Sequence, residues 1–270
     1  MRVEVISPHG FCAGVESAVK KALALGSGAF CLHEPVHNDM VTAALRRRGA
    51  DIADDPGEVP PGATMILPAH GVAPRVRREA EARGVKIVDA TCPFVERVHR
   101  AARAFAEKGL PVVVIGDAGH DEVVGIVGEV EDCGGRAFVY PDLPPPGGIG
   151  VVCQTTADAD CVARTVREFR GRYAVEVMAE VCGVTRERQR AVKEFKGDAV
   201  LVLGSARSAN SRRLCEIAPC RAFMAADMAE VRRLDLSGVE TLGVTSGAST
   251  PEDFFNEAVE FLKEGCKEER

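Results

Sequence analysis

Short apolar runs alternate along the chain with longer segments in which apolar residues recur every three or four positions. Runs such as Thr64–Leu67 and Ala199–Leu203 are typical of buried strands. The segment Gly14–Leu25 has the spacing of an amphipathic helix, with apolar residues at Val15, Ala18, Val19, Ala22 and Leu23. Because strands that alternate with helices form βαβ units, the pattern predicts an α/β fold with parallel sheets.

The same reading places strands and helices along the whole chain. Strands are predicted at Val3–Ile6, Ala29–Leu32, Thr64–Leu67, Lys86–Asp89, Pro111–Ile115, Ala137–Tyr140, Gly150–Cys153, Ala199–Leu203, Arg221–Met224 and Thr241–Thr245. Helices are predicted at Gly14–Leu25, Met40–Arg48, Ala73–Arg83, Pro93–Lys108, Glu122–Glu129, Asp158–Arg170, Thr185–Phe195, Asn210–Ile217 and Glu252–Lys263. Proline and glycine indicate surface loops at Pro56–Gly62 and Pro141–Gly148.

Three cysteines divide the chain into thirds. Cys12, Cys92 and Cys182 each lie between a strand-like run and a helix-like run, 80 and 90 residues apart. We therefore expect three small α/β lobes, at residues 1–91, 92–181 and 182–270. The alternative that the pattern leaves open is a single doubly wound sheet.

Composition narrows the class of protein. The formal net charge is −6, and no basic tail is present, which argues against nucleic acid as a partner. No apolar run reaches the roughly 18 residues of a membrane helix, and the start of the chain lacks the apolar core of a signal peptide. Ten cysteines without a secretory signal favour a reducing compartment, so we expect a cytoplasmic protein with no membrane partner.

The position of the three cysteines suggests metal chemistry. A helix N-terminus carries partial positive charge and unpaired N–H donors, which favour a thiolate over a thiol. Three thiolates would make a soft-metal site with one coordination position left for a substrate. The alternative for each of these three cysteines is a small buried hydrophobic side chain. We interpret Cys31, Cys153 and Cys161 in that way and, with less support, Cys133, Cys215, Cys220 and Cys266.

Polar loops follow six predicted strands, where ligands of parallel sheets bind. They contain His37 and Asn38, His70, His120 and Glu122, Thr155, Ser208 and Asn210, and Ser249. Together with helix N-termini, such loops are suited to an anion such as a diphosphate. Each residue also has an ordinary interpretation, as a helix cap, a solvated histidine or a first-turn acid. The Arg-rich stretches Arg75–Arg78, Arg97–Arg103 and Arg186–Arg190 are interpreted as solvated helix faces.

Nine short motifs in the same order resemble one family, the LytB-type 4-hydroxy-3-methylbut-2-enyl diphosphate reductases. They run from about residue 9 to residue 251 and contain Gly10-Phe-Cys12-Ala-Gly14, Val36-His37-Asn38, Ala69-His70-Gly71, Asp89-Ala-Thr-Cys92-Pro93, Gly119-His120-x-Glu122, Gln154-Thr155-Thr156, Cys182-x-x-Thr185 with Arg188-Gln189, Ser208-x-Asn210-Ser211 and Gly247-Ala-Ser249-x-Pro251. The resemblance covers nearly the whole chain and leaves no room for an appended domain.

The resemblance implies three lobes in a pseudo-threefold arrangement around a central 4Fe-4S cluster. The family's cluster ligands match Cys12, Cys92 and Cys182, and its fourth iron is open to the substrate's hydroxyl oxygen. Diphosphate-binding positions match His37, His70, His120, Ser208, Asn210 and Ser249. The proton-delivering carboxylate matches Glu122, with His120 beside it, and Thr155 matches the residue that binds the substrate hydroxyl and relays the proton.

The implied reaction is the reductive removal of a hydroxyl group from an allylic diphosphate, giving isopentenyl and dimethylallyl diphosphates in the methylerythritol phosphate route. A ferredoxin or flavodoxin is the implied electron donor. Two positions depart from the family pattern: Ala209 stands where a serine is usual, and Asp121 where a proline is common. Two other classes remain open, a non-catalytic iron–sulfur redox sensor and a zinc protein with a Cys₃ site.

Overall fold

Twelve strands and ten α-helices alternate in the computed structural model, which describes residues 1–178 and 180–268, with side chains to residue 265. The strands are β1 (Arg2–Val5), β2 (Ala29–Leu32), β3 (Asp51–Ala53), β4 (Thr64–Leu67), β5 (Lys86–Asp89), β6 (Val112–Ile115), β7 (Ala137–Val139), β8 (Gly148–Cys153), β9 (Ala174–Val177), β10 (Ala199–Leu203), β11 (Arg221–Ala225) and β12 (Thr241–Ser246). The helices are α1 (Ala13–Ala24), α2 (Asp39–Arg47), α3 (Pro74–Ala82), α4 (Pro93–Glu107), α5 (Asp121–Asp132), α6 (Ala159–Arg170), α7 (Gly183–Glu194), α8 (Ala209–Glu216), α9 (Met228–Val231) and α10 (Glu252–Glu268).

These strands form three separate four-stranded sheets, and every strand pair is parallel. The strand orders are β1-β12-β10-β11, β3-β2-β4-β5 and β7-β6-β8-β9. The predicted α/β fold with several parallel sheets is confirmed, and a single doubly wound sheet is excluded. The lobe boundaries at residues 91/92 and 181/182 stay predictions.

The first strand belongs to the sheet of the last third of the chain. Arg2 lies opposite Thr241 and Val5 opposite Val244 in the parallel register of β1 and β12. One compact unit accordingly contains Met1–Ala13, His37–Val41 and the chain from Gly183 onward. The other contains Gly14–Val36 and Thr42–Cys182, with two of the three sheets.

Apolar central strands build the core of each sheet. All five residues of β10 and all four of β6 are buried, as expected for strands of a parallel sheet covered on both faces. In the first unit, Phe254 and Phe255 of α10 pack on one face of β10, while Val192 and Leu214 are part of the core on its other face. In the second unit, α4 and α5 cover one face of β6 and α6 covers the other.

Most predicted elements are found within one or two residues of their expected ends, although α5 and α10 continue for three and five residues beyond them. The strands β3 and β9, the helix α9 and a 3₁₀ turn at Pro56–Glu58 were not predicted. The two strands lie at sheet edges and α9 has four residues, so none of them has a long apolar pattern. In the described part of the chain, no helix combines the length and apolar character needed to cross a membrane.

Replacing Leu201 by alanine tests the core of the first unit. Leu201 is fully buried in β10. We expect L201A to lower the free energy of unfolding by about 2–5 kcal/mol, because it removes buried methyl groups and leaves a cavity. Urea denaturation followed by circular dichroism measures the change, with V5A as the control, since Val5 is 41% exposed. Equal stability of the two variants would contradict the assignment of Leu201 to the core.

Candidate active site

Two neighbouring strands bring the predicted acid and its predicted relay residue to the same sheet edge. Ile115, the last residue of β6, lies opposite Cys153, the last residue of β8. The chain after β6 leads into α5, whose second residue is Glu122, and the chain after β8 leads directly to Thr155. Because parallel strands end at the same edge, residues 33 positions apart meet there.

Glu122 and Thr155 form a two-point hydrogen-bonded pair. The Thr155 backbone N–H donates to Glu122 Oε1 at 2.6 Å, and the Thr155 hydroxyl donates to Glu122 Oε2 at 2.9 Å. Both residues are buried, at 2% and 7% exposure. When the carboxyl group is protonated, the same contact can run in reverse, with the acid donating to the hydroxyl oxygen.

The environment of Glu122 makes it a proton donor near neutral pH. Burial raises the pKa of Glu122 to about 7, and this effect exceeds the opposing hydrogen bonds from Thr155 and the charge of His99. A carboxylic acid with such a pKa holds and releases a proton in the pH range where most enzymes work. The prediction that Glu122 is an acid in a site therefore gains a physical basis, while its role stays a prediction.

His120 is the N-terminal cap of α5 and is oriented by it. Its Nδ1 accepts a hydrogen bond from the Glu122 backbone N–H at 3.2 Å. An accepting Nδ1 places the ring hydrogen of a neutral imidazole on Nε2, where it can be donated to an anion. The His120 and His70 rings meet edge to face, with centroids 6.5 Å apart.

Asp121, one of the two departures from the family pattern, faces a histidine. Its Oδ2 lies 3.4 Å from Nε2 of His70, whose side chain is 8% exposed. Asp121 is also the first residue of α5, where the helix dipole favours a negative charge. The second acid therefore contacts His70 and does not simply face solvent.

The first unit holds the other predicted anion-binding residues. Ser208 caps α8, its hydroxyl accepting from the Ser211 N–H at 3.4 Å. The Ser249 hydroxyl donates to the backbone oxygen of His37 at 3.4 Å. Asn210 is 4% exposed, and within the described residues neither its Nδ2 nor its Oδ1 has a hydrogen-bond partner. Because buried amides are nearly always paired, the Asn210 amide is suited to hydrogen-bond a ligand.

Each of the three predicted metal ligands stands at a helix start. Cys12 directly precedes α1, Cys92 is the N-cap of α4, and Cys182 directly precedes α7. Their backbone N–H groups donate to the oxygens of Ala248 at 3.3 Å, Ala69 at 2.9 Å and Thr155 at 3.1 Å. All three are half-buried, and none is in a disulfide. Cys12 lies in the first unit, and Cys92 and Cys182 lie in the second.

The remaining cysteines differ in how deeply their side chains are buried. Cys31 and Cys153 are buried as predicted, and desolvation raises the pKa of their thiols to about 11 and about 12. Cys161, Cys215 and Cys220 are half-buried. The prediction was wrong for Cys133, which is exposed, and Cys266 lies outside the described side chains.

The interpretation of Arg186–Arg190 as a solvated face was wrong for Arg188, which is 2% exposed. Its Nη1 donates to the Ser246 oxygen at 2.8 Å, and its Nη2 donates to the Gly10 oxygen at 2.7 Å. The Gly10 N–H in turn donates to the Ser246 hydroxyl at 2.8 Å. Arg188 therefore fixes the loop that leads to Cys12, a role that its position in an apparently exposed charged run concealed.

The parallel sheets make this chain an α/β protein. A buried acid that can be protonated and thiols at helix starts, all near the ends of strands, are typical of an enzyme. A family model described as LytB protein matches residues 3–263, and the chain belongs to that family. Membership implies a metal cofactor.

Named relatives agree with this assignment. A 4-hydroxy-3-methylbut-2-enyl diphosphate reductase of Hahella chejuensis is 38% identical, covering 98% of this chain and 90% of the relative. One from Acidothermus cellulolyticus is 39% identical, covering 97% and 83%. The solved E-1-hydroxy-2-methyl-but-2-enyl-4-diphosphate reductase of Plasmodium falciparum superposes with a TM-score of 0.87 at 30% identity, covering 97% of this chain and 87% of the other.

Replacing Thr155 by valine tests the pair at the sheet edge. We expect T155V to raise the pKa of Glu122 further, because it removes the hydroxyl hydrogen bond that favours the carboxylate. Carboxyl-stretch infrared titration measures the change. T156V is the matched control, since the Thr156 hydroxyl accepts from Gln154. A Glu122 titration that is the same in T155V and the unchanged protein would contradict the pairing.

Proposed function

We propose that this chain is a 4-hydroxy-3-methylbut-2-enyl diphosphate reductase, an oxidoreductase that removes the hydroxyl group of its allylic diphosphate substrate. The products are isopentenyl and dimethylallyl diphosphate, at the last step of the methylerythritol phosphate route. The observation that carries the proposal is the buried Glu122–Thr155 pair, with an acid whose pKa of about 7 suits proton delivery. The names of the relatives support the substrate.

The reaction breaks one C–O bond and takes up two electrons and two protons, with water as the second product. Hydroxide is a poor leaving group, so a proton must reach the departing oxygen as the bond breaks. Glu122 holds that proton, and the Thr155 hydroxyl, 2.9 Å away, passes it on while it hydrogen-bonds the substrate's hydroxyl. Burial of the pair excludes water that would otherwise compete for the proton.

The diphosphate is the handle that orients the substrate. We assign its binding to neutral donors and histidines: His37, His70, His120, Ser208, Asn210 and Ser249. The buried, unpaired amide of Asn210 supports this assignment in the first unit, and the Nε2 hydrogen of His120 supports it in the second. Contacts remote from the reacting carbon hold the C–O bond in place and lower the entropic part of the barrier.

Cys12, Cys92 and Cys182 would hold a 4Fe-4S cluster. Their chemistry fits this group, because each is a half-buried cysteine at a helix start and cysteine sulfur is the usual ligand of such clusters. The cluster, when bound, supplies one-electron transfer and a Lewis acid. We propose a ferredoxin or flavodoxin as the electron donor and the cytoplasm as the location.

The direct test is anaerobic purification with iron and sulfide analysis, followed by an assay with the allylic diphosphate and a reduced viologen dye. Turnover to both products supports the proposal. A colourless protein with zinc and no sulfide would instead indicate a Cys₃ zinc protein. An iron–sulfur protein whose spectrum does not respond to the diphosphate would indicate a redox sensor.

Replacing Glu122 by glutamine removes the proton and keeps the shape of the side chain. We expect E122Q to lose on the order of 10²–10⁴ in kcat, the usual contribution of a general acid, and to keep its iron and sulfide. Steady-state kinetics measure the loss. E131Q is the control on the same helix, because Glu131 is exposed. A rate near that of the unchanged protein would remove Glu122 from the acid role.

Replacing Cys92 by serine removes one proposed ligand. We expect C92S to lose iron and sulfide, because a serine hydroxyl is a poor substitute for a thiolate toward iron. Metal analysis and the visible absorption of the anaerobic protein measure the loss. C133S is the control, since Cys133 is exposed. Full iron and sulfide content in C92S would mean that a different thiol binds the cluster.

A further inference from the structure

Helices α4 and α5 enclose an ionisable network that the proposed reaction does not use. His99 Nδ1 lies 3.2 Å from Glu129 Oε1, and Arg103 donates to Glu129 Oε2 at 3.0 Å from Nε and 2.6 Å from Nη2. His99 and Glu129 are buried, at 2% and 5% exposure. Against the effect of burial, bonds from His99 and Arg103 lower the pKa of Glu129. The ionised carboxylate can accept but not donate, so His99 Nδ1 carries a hydrogen.

The Cε1–Nε2 edge of the His99 ring packs against two glycines. A Cβ atom at Gly125 would lie 2.9 Å from His99 Cε1, and one at Gly71 would lie 3.0 Å from the same atom. Gly71 follows His70 in the chain, and Gly125 lies one helical turn after Glu122. The ring therefore fills the space between the loop that carries His70 and the helix that carries Glu122.

Gly125 lies on the same face of α5 as Glu122, so the packing of His99 against Gly125 bears on the position of the acid. Glu122, Gly125 and Glu129 recur at i, i+3 and i+7, which places them on one side of the helix. Glycine inside a helix is less favourable than alanine, because its backbone loses more conformational freedom on folding. Gly125 has no positive φ that would require glycine, so the His99 ring is what excludes a side chain there.

We propose, on the basis of the proposed function, that His99 held by Glu129 is a positioning residue for Glu122. Its ring sets the place of α5 against the His70 loop. Its charge, when the ring is protonated, favours the ionised form of Glu122 and so limits how firmly the acid keeps its proton.

The groups that act on Glu122 come from each element around it. Burial raises the pKa of Glu122, whereas the Thr155 hydrogen bonds and the charge of His99 on α4 lower it. Cys153 on β8 is also close enough to feel the Glu122 charge. His120, the N-cap of α5, accepts a hydrogen bond from the Glu122 backbone N–H. Of these groups, His99 is the one whose charge opposes the protonated acid.

The first test replaces His99 by glutamine, whose amide can still donate to Glu129. We expect Glu122 to titrate at higher pH in H99Q by infrared spectroscopy of the cluster-loaded protein, and the alkaline limb of the kcat profile to move the same way. R100Q is the control: it removes a cation from the same helix, but the Arg100 side chain is 65% exposed and screened by solvent. If His99 acted only through packing, the pH at which Glu122 titrates would not change in H99Q.

The second test leaves every ionisable group in place. We expect G125A to lower kcat on the order of tenfold to hundredfold, because its methyl group displaces the His99 ring and α5, and small misplacements of an acid are costly. Iron content and circular dichroism should not change. G265A is the matched control, since a Cβ on Gly265 of α10 meets nothing within 4 Å.

An unchanged Glu122 titration in H99Q overturns the electrostatic part. A folded G125A with kcat within about twofold of the unchanged protein overturns the positional part. If H99Q does not fold, G125A alone decides. The infrared titration needs no turnover, so an inactive unchanged protein would refute the proposed function while the inference about His99 is still tested.

Discussion

Burial of the Glu122 carboxyl group at a sheet edge sets the protonation state on which the proposed chemistry depends. The raised pKa means that folding favours the protonated acid, so stability falls as pH rises from about 4.5 to about 7. Across that interval the loss is about 3 kcal/mol, at 1.36 kcal/mol for each pH unit. A residue that destabilises the fold in this way has to be held by stable neighbours. Here these are β6, in which every residue is buried, and β8, in which every residue except Gly148 is buried.

Hydrogen bonds at the ends of these strands keep the Glu122 side chain from turning toward water. Thr155 binds both carboxyl oxygens, one through its backbone and one through its side chain, so rotation of Glu122 would break two hydrogen bonds. Glu122 is also held through its own backbone by His120. The position of the proton is therefore determined by three contacts that are all local to the ends of β6 and β8. Preorganisation of this kind makes a buried acid useful, because no reorganisation is needed when the bond breaks.

Much of this arrangement follows from local pattern. The apolar runs of β6 and β10 predicted the parallel sheets. The polar residues that follow strands predicted the loop before α5, which leads to Glu122, and the loops that carry Thr155 and Ser249. The pairing of β1 with β12 was not predictable, because register between distant strands leaves no signal in a short run of four residues. Burial of His99, Glu129 and Arg188 was hidden for a related reason. Each lies among charged residues, and only the tertiary contacts show which of them face inward.

The two departures from the family pattern can now be weighed physically. Ala209 is the first residue of α8, so its backbone N–H is among the donors that have no partner inside the helix. The preceding Ser208 hydroxyl caps the helix, and the buried Asn210 amide follows, so loss of a serine hydroxyl at 209 leaves the loop with other donors for an anion. The second departure, Asp121, adds a negative charge instead of removing a hydrogen-bond donor. Its carboxylate lies 3.4 Å from Nε2 of His70, so it brings a negative charge beside a residue proposed to bind a polyanion. An approaching diphosphate therefore meets the Asp121 carboxylate and the His70 ring together.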